Sequence, residues 1–165
     1  MAVEPCFKFN PRMTAPIQLS RKKAAKHPSV RWHALNEFCV SAHVTNLTPV
    51  QRVACLAYWY MSGVEMGGHH DYFSQTPHPD SDEVAAALRY VGAIEQASIL
   101  VAAHKAVTMA SGRAPAEHVD RYLAGVEFAD LVNVDEAFDR CTRPIATCLV
   151  DYLDKHENEF IEWKL

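Results

Sequence analysis

The 165-residue sequence predicts a single all-α domain preceded by a basic N-terminal arm. Apolar residues recur at three- and four-residue spacing through most of the chain after residue 28, which is typical of amphipathic helices. No long segment alternates apolar and polar residues with the period of two that marks a half-buried strand. A chain of this length is expected to form one domain with its own hydrophobic core. We therefore predict about six or seven helices in one compact domain over residues 29–165.

Residues 1–28 are predicted to form an extended or flexible arm, because they contain four prolines and the basic run RKKAAK. Residues 1–45 carry seven Lys/Arg and two Asp/Glu, whereas residues 46–165 carry nine Lys/Arg and eighteen Asp/Glu. This asymmetry of a basic arm and an acidic body is informative about partners and not about fold.

The sequence favours a cytoplasmic protein without a membrane partner. No apolar signal-peptide region follows the N-terminus, and no apolar run is long enough to cross a bilayer. The five cysteines lack any C-x-x-C pair, which indicates free thiols and argues against a disulfide framework or a structural zinc site.

The clearest helix start lies in the segment LTPVQ. Thr48 is predicted as the N-cap, Pro49 as the first helical residue, and Gln51 as the residue that completes a capping box. Gly67 and Gly68 are predicted to end this helix, because glycine adopts the left-handed conformation of helix ends without a Cβ penalty. One of the two glycines is therefore expected to have a positive φ.

Further helices follow in the second half of the chain. Ser81, followed by two acidic residues, is predicted to cap a helical segment that continues to about Val107, and Gly92 allows a break or close packing in its middle. A shorter amphipathic helix is expected in AEHVDRYLAGVEF, and a turn at Asp135. At Pro144 either a new helix should begin or the preceding helix should kink, because proline fits the first helical turn and not the interior.

The segment GVEMGGHHDYF contains His69, His70 and Asp71, which are residue types that bind metals. Adjacent residues of a helix do not face the same way, and no H-E-x-x-H pair supports them. We interpret the segment as a glycine corner with surface or partly buried imidazoles, and with Tyr72 and Phe73 in the core. A metal-dependent enzyme or metal-binding protein centred on these two histidines and the aspartate is the alternative.

The sequence contains no motif typical of a cofactor site or a catalytic nucleophile. The Gly-Gly pair is not a phosphate-binding loop, because the following G-K-[ST] and a preceding strand are both missing. No G-x-S-x-G elbow is present, and no cysteine lies in a recognisable catalytic context. These observations favour a non-enzymatic protein with no cofactor and no bound metal.

The C-terminal third of the chain is rich in acidic residues. Residues 117–165 carry twelve Asp/Glu against five Lys/Arg. Such a segment is either a solvated face or a surface for a basic partner. The candidate partner-binding residues are Glu117, Asp120, Glu127, Asp130, Asp135, Glu136 and Asp139.

Three segments resemble a bacterial family of unknown-function domains that includes an all-helical DNA-mimic protein. They are LTPVQRVACLAYWYMSGVEMGGHHDYF, ALRYVGAIEQASILVAAHKA and DEAFDR…LVDYLDKHENEF, within residues 46–160. The family motif runs approximately N-G-G-F-x-Q-[YF]-F. This chain matches it at Gly67, Gly68, Tyr72 and Phe73 and departs from it at Met66, His69 and Asp71.

The resemblance implies a protein-binding domain whose acidic surface imitates the phosphates of duplex DNA and occupies a basic, DNA-binding protein. It also implies a homodimer and no direct binding of nucleic acid. An antitoxin or immunity-type inhibitor of a basic partner would present the same kind of surface.

Overall fold

The computed structural model describes residues 15–27, 29–75, 79–112 and 120–164, which contain eight α-helices and two strands. In chain order these are β1 (Ile17–Ser20), α1 (Arg21–Lys26), α2 (Val30–Ser41), α3 (Pro49–Ser74), α4 (Ser81–Val91), α5 (Ile94–Ser111), α6 (Arg121–Phe128), α7 (Val132–Asp139), α8 (Ile145–Lys155) and β2 (Ile161–Lys164). Two 3₁₀ turns, Val44–Asn46 and Glu157–Glu159, complete the list. The fold is mostly helical and forms one compact domain, as predicted.

The two strands form a small parallel sheet, so the strictly all-α prediction is wrong at the two ends of the described chain. Ile17 lies opposite Ile161, and Ser20 lies opposite Lys164. Next to the sheet, the ring of Phe160 packs edge-on against Phe38, with 5.3 Å between the ring centroids. Each strand has only four residues, and alternation over so short a stretch does not distinguish a strand from a helix end.

The predicted arm, residues 1–28, is described only in part. Within the described part, Ile17–Ser20 form β1 and Arg21–Lys26 form α1, which brings the helices of the described residues to eight, against the six or seven predicted. Residues 1–14 and 28 lie outside the described part of the chain.

The N-terminus of α3 has the predicted capping box. The backbone N–H of Gln51 donates to Thr48 Oγ1 at 3.2 Å, and the N–H of Thr48 donates to Gln51 Oε1 at 3.0 Å. The same two side chains also reach Glu159, because the Thr48 hydroxyl donates to its carboxylate at 2.8 Å and the Gln51 amide to its carbonyl at 2.7 Å. The cap therefore also ties α3 to the segment that leads into β2.

Helix α3 occupies the centre of the molecule and packs against α2, α4, α6, α7 and α8. Its buried apolar side chains belong to one hydrophobic core, which also receives Leu100 from α5 and Leu149 from α8. Full burial of a side chain of this size contributes about 1.5–3 kcal/mol to stability. None of the described helices has the length and apolar character that crossing a membrane requires.

The N-cap of helix α4 lies one residue earlier than the sequence predicts. Asp80, and not Ser81, is the N-cap, because its carboxylate accepts the N–H groups of Asp82 and Glu83. Ser81 is instead buried at the first helical position. The Arg52 guanidinium, which hydrogen-bonds Glu83 at 2.6 Å, holds the pKa of that carboxyl below its usual value and links α3 to α4.

Candidate functional site

Helix α3 is broken at Gly67 and Gly68. Gly68 has φ 73° and ψ −172°, so the predicted positive φ is present in this pair. Helical conformation resumes after the two glycines and continues to Ser74, so the pair kinks the helix where the sequence predicted its end. The kink turns the next residue, His69, toward the interior.

His69 is completely buried and uses both ring nitrogens in hydrogen bonds. Its Nδ1 lies 2.6 Å from Asp135 Oδ1, and its Nε2 lies 2.8 Å from the Tyr60 hydroxyl. The backbone N–H of His69 donates to the same Asp135 oxygen at 2.9 Å. A neutral imidazole satisfies this geometry when Nδ1–H donates to the carboxylate and Nε2 accepts from the tyrosine. The prediction of a surface or partly buried imidazole is therefore wrong for His69.

Burial determines the protonation of this hydrogen-bonded chain, which we call the Tyr60–His69–Asp135 chain. Burial lowers the pKa of His69 below its ordinary value, although the hydrogen bond and charge of Asp135 act in the opposite direction. Burial also raises the pKa of Tyr60 well above its ordinary value. The ring of Phe138 covers both groups edge-on, with 5.9 Å between centroids in each case. The imidazole of His69 and the phenol of Tyr60 are thus both neutral near pH 7.

The Tyr60–His69–Asp135 chain is positioned to connect parts of the fold and not to contact a substrate. Tyr60 and His69 have 0% exposed surface, whereas the Asp135 side chain is 37% exposed. The histidine and the tyrosine are therefore closed to any molecule in solution. Their hydrogen bonds connect the kink of α3 to α7.

The proposed metal ligands do not converge. His70 and Asp71 are exposed, with Nδ1 and Oδ1 3.5 Å apart, while His69 faces inward and its nitrogens are occupied. Within the described ranges, no group of three His, Cys, Asp or Glu residues is arranged to hold a metal ion. Tyr72 and Phe73 lie in the core, with 4% and 0% of their surface exposed.

An open cleft lies where the kink of α3 meets α7. Its volume is about 460 Å³, and Phe138 forms part of its wall. Three carboxylates line it, namely Glu65 from α3 and Asp135 and Asp139 from α7, and its lining residues include no Lys or Arg. We call this the acidic cleft. The lining thus brings three carboxylates together at one place on the surface.

The other predicted partner-binding residues have different surroundings. Asp120 caps α6, and Asp130 accepts the N–H of Val132 at 3.3 Å. Glu136 pairs with Arg140 at 2.5 Å, and Glu127 is exposed. Glu117 lies outside the described residues.

Glu65 was missing from the predicted set. It lies 70 positions before Asp135, on a helix whose sequence pattern indicates burial. Only the packing of α3 against α7 brings the two carboxylates to one cleft.

The family model described as "DMP19-like protein" matches residues 45–156, which are more than half of the chain. The chain belongs to the DMP19-like family. This agrees with the resemblance seen in the sequence, and the matched range includes both the Tyr60–His69–Asp135 chain and the acidic cleft of this DMP19-like protein. No curated protein and no solved structure gives a match.

Alanine at the kink is expected to destabilise the protein more than alanine at another glycine of positive φ. Gly92 lies in the left-handed helical region, which costs a non-glycine residue about 1–2 kcal/mol, whereas Gly68, with φ 73° and ψ −172°, lies in a region that essentially only glycine adopts. A Cβ at Gly68 would lie 2.8 Å from Asp135 Oδ2, whereas a Cβ at Gly92 has nothing within 4 Å. Chemical denaturation should therefore give a larger loss for Gly68→Ala than for Gly92→Ala. Equal losses of stability in the two variants would show that the close approach of Asp135 to Gly68 does not contribute to stability.

The buried histidine is expected to make stability depend on pH. Its folded pKa is lowered, so the unfolded chain binds a proton below about pH 6.5 that the folded protein does not bind. The free energy of unfolding should then fall as the pH decreases from about 6.5, and should be insensitive to His69 above that value.

Denaturant titrations between pH 7.5 and 5.5 test this dependence. The His69→Asn variant should lose part of the decrease that the parent shows, and His70→Asn, which removes the exposed neighbour, should keep it. The same decrease in the parent and in His69→Asn would contradict the assignment.

Proposed function

We propose that this DMP19-like chain is a non-enzymatic binding protein that engages a basic, DNA-binding protein through the acidic cleft. The observation that carries the proposal is the joint lining of one cleft by Glu65, Asp135 and Asp139 without a basic residue among them. Carboxylates that share one cleft attract Lys and Arg side chains and accelerate association with a positively charged partner.

Ion pairs elsewhere distinguish this cleft from the rest of the acidic surface. Arg31 pairs with Asp154 at 2.8 Å and also with Glu157. Arg143 pairs with Asp151, and the carboxylate of Glu136 is met by Arg140. Four of the twelve acidic residues of the C-terminal segment are thus paired with arginine, whereas the described residues show no such pair for the three carboxylates of the acidic cleft, which makes the cleft our candidate for a basic partner.

Repulsion inside the cleft supports the same conclusion. Asp135 and Asp139 lie one helical turn apart on α7, and like charges at this spacing destabilise a helix by a few tenths of a kcal/mol. Local stability does not favour such a pair. A cation from a partner would remove the repulsion on binding.

DNA mimicry is the form of this activity that the family resemblance suggests, and we place it in the cytoplasm. The partner's DNA-binding surface would then be occupied by carboxylates in place of phosphates. Direct binding of nucleic acid is disfavoured, since phosphates would meet the negative charge of the cleft. An antitoxin or immunity-type inhibitor would use the same contact with a different basic partner.

Capture of partners with the tagged protein at low salt, followed by competition with duplex DNA, tests the proposal. We expect DNA-binding proteins to be retained and duplex DNA to displace them. The double variant Glu65→Gln and Asp139→Asn should weaken binding of the purified partner at least about tenfold and flatten its salt dependence, because two charge contacts are lost.

The control removes two exposed carboxylates elsewhere, by Asp82→Asn and Glu127→Gln. It should bind as the parent does, although it has the same net charge as the cleft variant. If both double variants bind alike, general charge and not the cleft accounts for binding. Retention of no DNA-binding protein at low salt would contradict the proposed function.

A further inference from the structure

A second groove lies beside the acidic cleft and shares Glu65 with it. Its volume is about 580 Å³, and its walls come from α2, from α3 before the kink and from Gln75 at the C-terminal end of α3. Val40, Trp59 and Met66 are among its apolar lining residues. We call it the apolar groove.

The apolar side chains of this groove are unusually exposed. Met66 is 80% exposed and Val40 is 71% exposed. Single exposed apolar residues are common on proteins, but these two line the same concavity together with an aromatic ring. Methionine is flexible and polarizable, and surfaces that accept varied apolar partners use it often.

The aromatic wall of the groove is held in place. Trp59 is partly buried, and its Nε1–H donates to the carbonyl of Cys39 at 2.9 Å, which fixes the indole between α2 and α3. The neighbouring Tyr58 hydroxyl hydrogen-bonds Asn36 of α2. A preformed wall reduces the entropy lost when a partner side chain enters the groove.

Charge indicates which kind of occupant fits. Glu65 lines the apolar groove and the acidic cleft, and neither lining contains Lys or Arg. A second copy of the chain, related by two-fold symmetry, would bring this negative region against itself. A segment with apolar residues on one face and Lys or Arg beside them complements both surfaces at once.

We propose that the apolar groove and the acidic cleft together bind a basic amphipathic helix of the partner. This proposal rests on the proposed function and specifies the partner's binding element. A helix of this kind places apolar anchors three or four residues apart in a groove, as in other helix-in-groove complexes. Its cations, one turn away, then lie against Glu65 and Asp139.

Three synthetic helical peptides of about four turns test the proposal. The first has leucines on one face and lysines beside them, the second has glutamates in place of the lysines, and the third has serines in place of the leucines. Titration calorimetry and tryptophan fluorescence at low and moderate salt measure their binding. We expect the first peptide alone to bind tightly and to change the fluorescence, because Trp59 lines the groove.

Matched variants locate the contact. Met66→Ser together with Val40→Ser should weaken the first peptide at least about tenfold, because both apolar contacts are lost. The control, Met109→Ser together with Val101→Ser, changes the same residue types on α5, where Met109 is 51% and Val101 is 42% exposed. The control should bind as the parent does. All four residues are exposed, so both proteins should stay folded.

The outcomes separate this inference from the proposed function. If a purified DNA-binding partner depends on Glu65 and Asp139 but is indifferent to Val40→Ser with Met66→Ser, the groove inference is wrong and the proposed function stands. Equal binding of the first and third peptides would also overturn it, since apolar anchors would then contribute nothing. A change of sedimentation on groove substitution would identify a second copy as the occupant and contradict the inference.

Discussion

One carboxylate oxygen of Asp135 accepts two hydrogen bonds from His69, and the arrangement of α7 against α3 depends on this contact. The ring Nδ1 lies 2.6 Å and the backbone N 2.9 Å from that oxygen. The hydrogen bonds are charge-assisted and partly shielded from water, conditions in which they contribute more than neutral, exposed ones. Gly68 allows the approach, because a Cβ at its position would collide with the second oxygen of the carboxylate.

Asp135 thereby links the core to the surface. One of its oxygens satisfies a buried imidazole, while its side chain remains 37% exposed at the acidic cleft. The position of α7, fixed in this way, determines where Asp139 lies relative to Glu65. The hydrogen bonds of the buried histidine thus support the proposed binding surface by positioning α7.

Local features of the sequence could be predicted, whereas features that depend on distant contacts could not. The cap at Thr48 and the positive φ in the Gly-Gly pair follow from residue types and short-range spacing. The sheet joins segments 144 residues apart at Gln18 and Glu162, and no local pattern indicates that pairing. The burial of His69 and the place of Glu65 in the cleft likewise result from the packing of α3 against α7. The acidic residues were predicted by their density, but density does not distinguish a helix cap, such as Asp120, from a cleft residue.

A double-mutant cycle between His69 and Asp135 is the most direct test of the account. The variants are His69→Phe, Asp135→Asn and their combination, with the free energy of unfolding measured at pH 7 by denaturant titration. Groups joined in one hydrogen-bonded network typically couple by about 0.5–3 kcal/mol, and we expect a value in the upper half of that range. The exposed pair His70 and Asp71 is the reference, and its coupling should be close to zero. A coupling between His69 and Asp135 no larger than that of the reference pair would contradict the claim that this contact holds α7 against the kink.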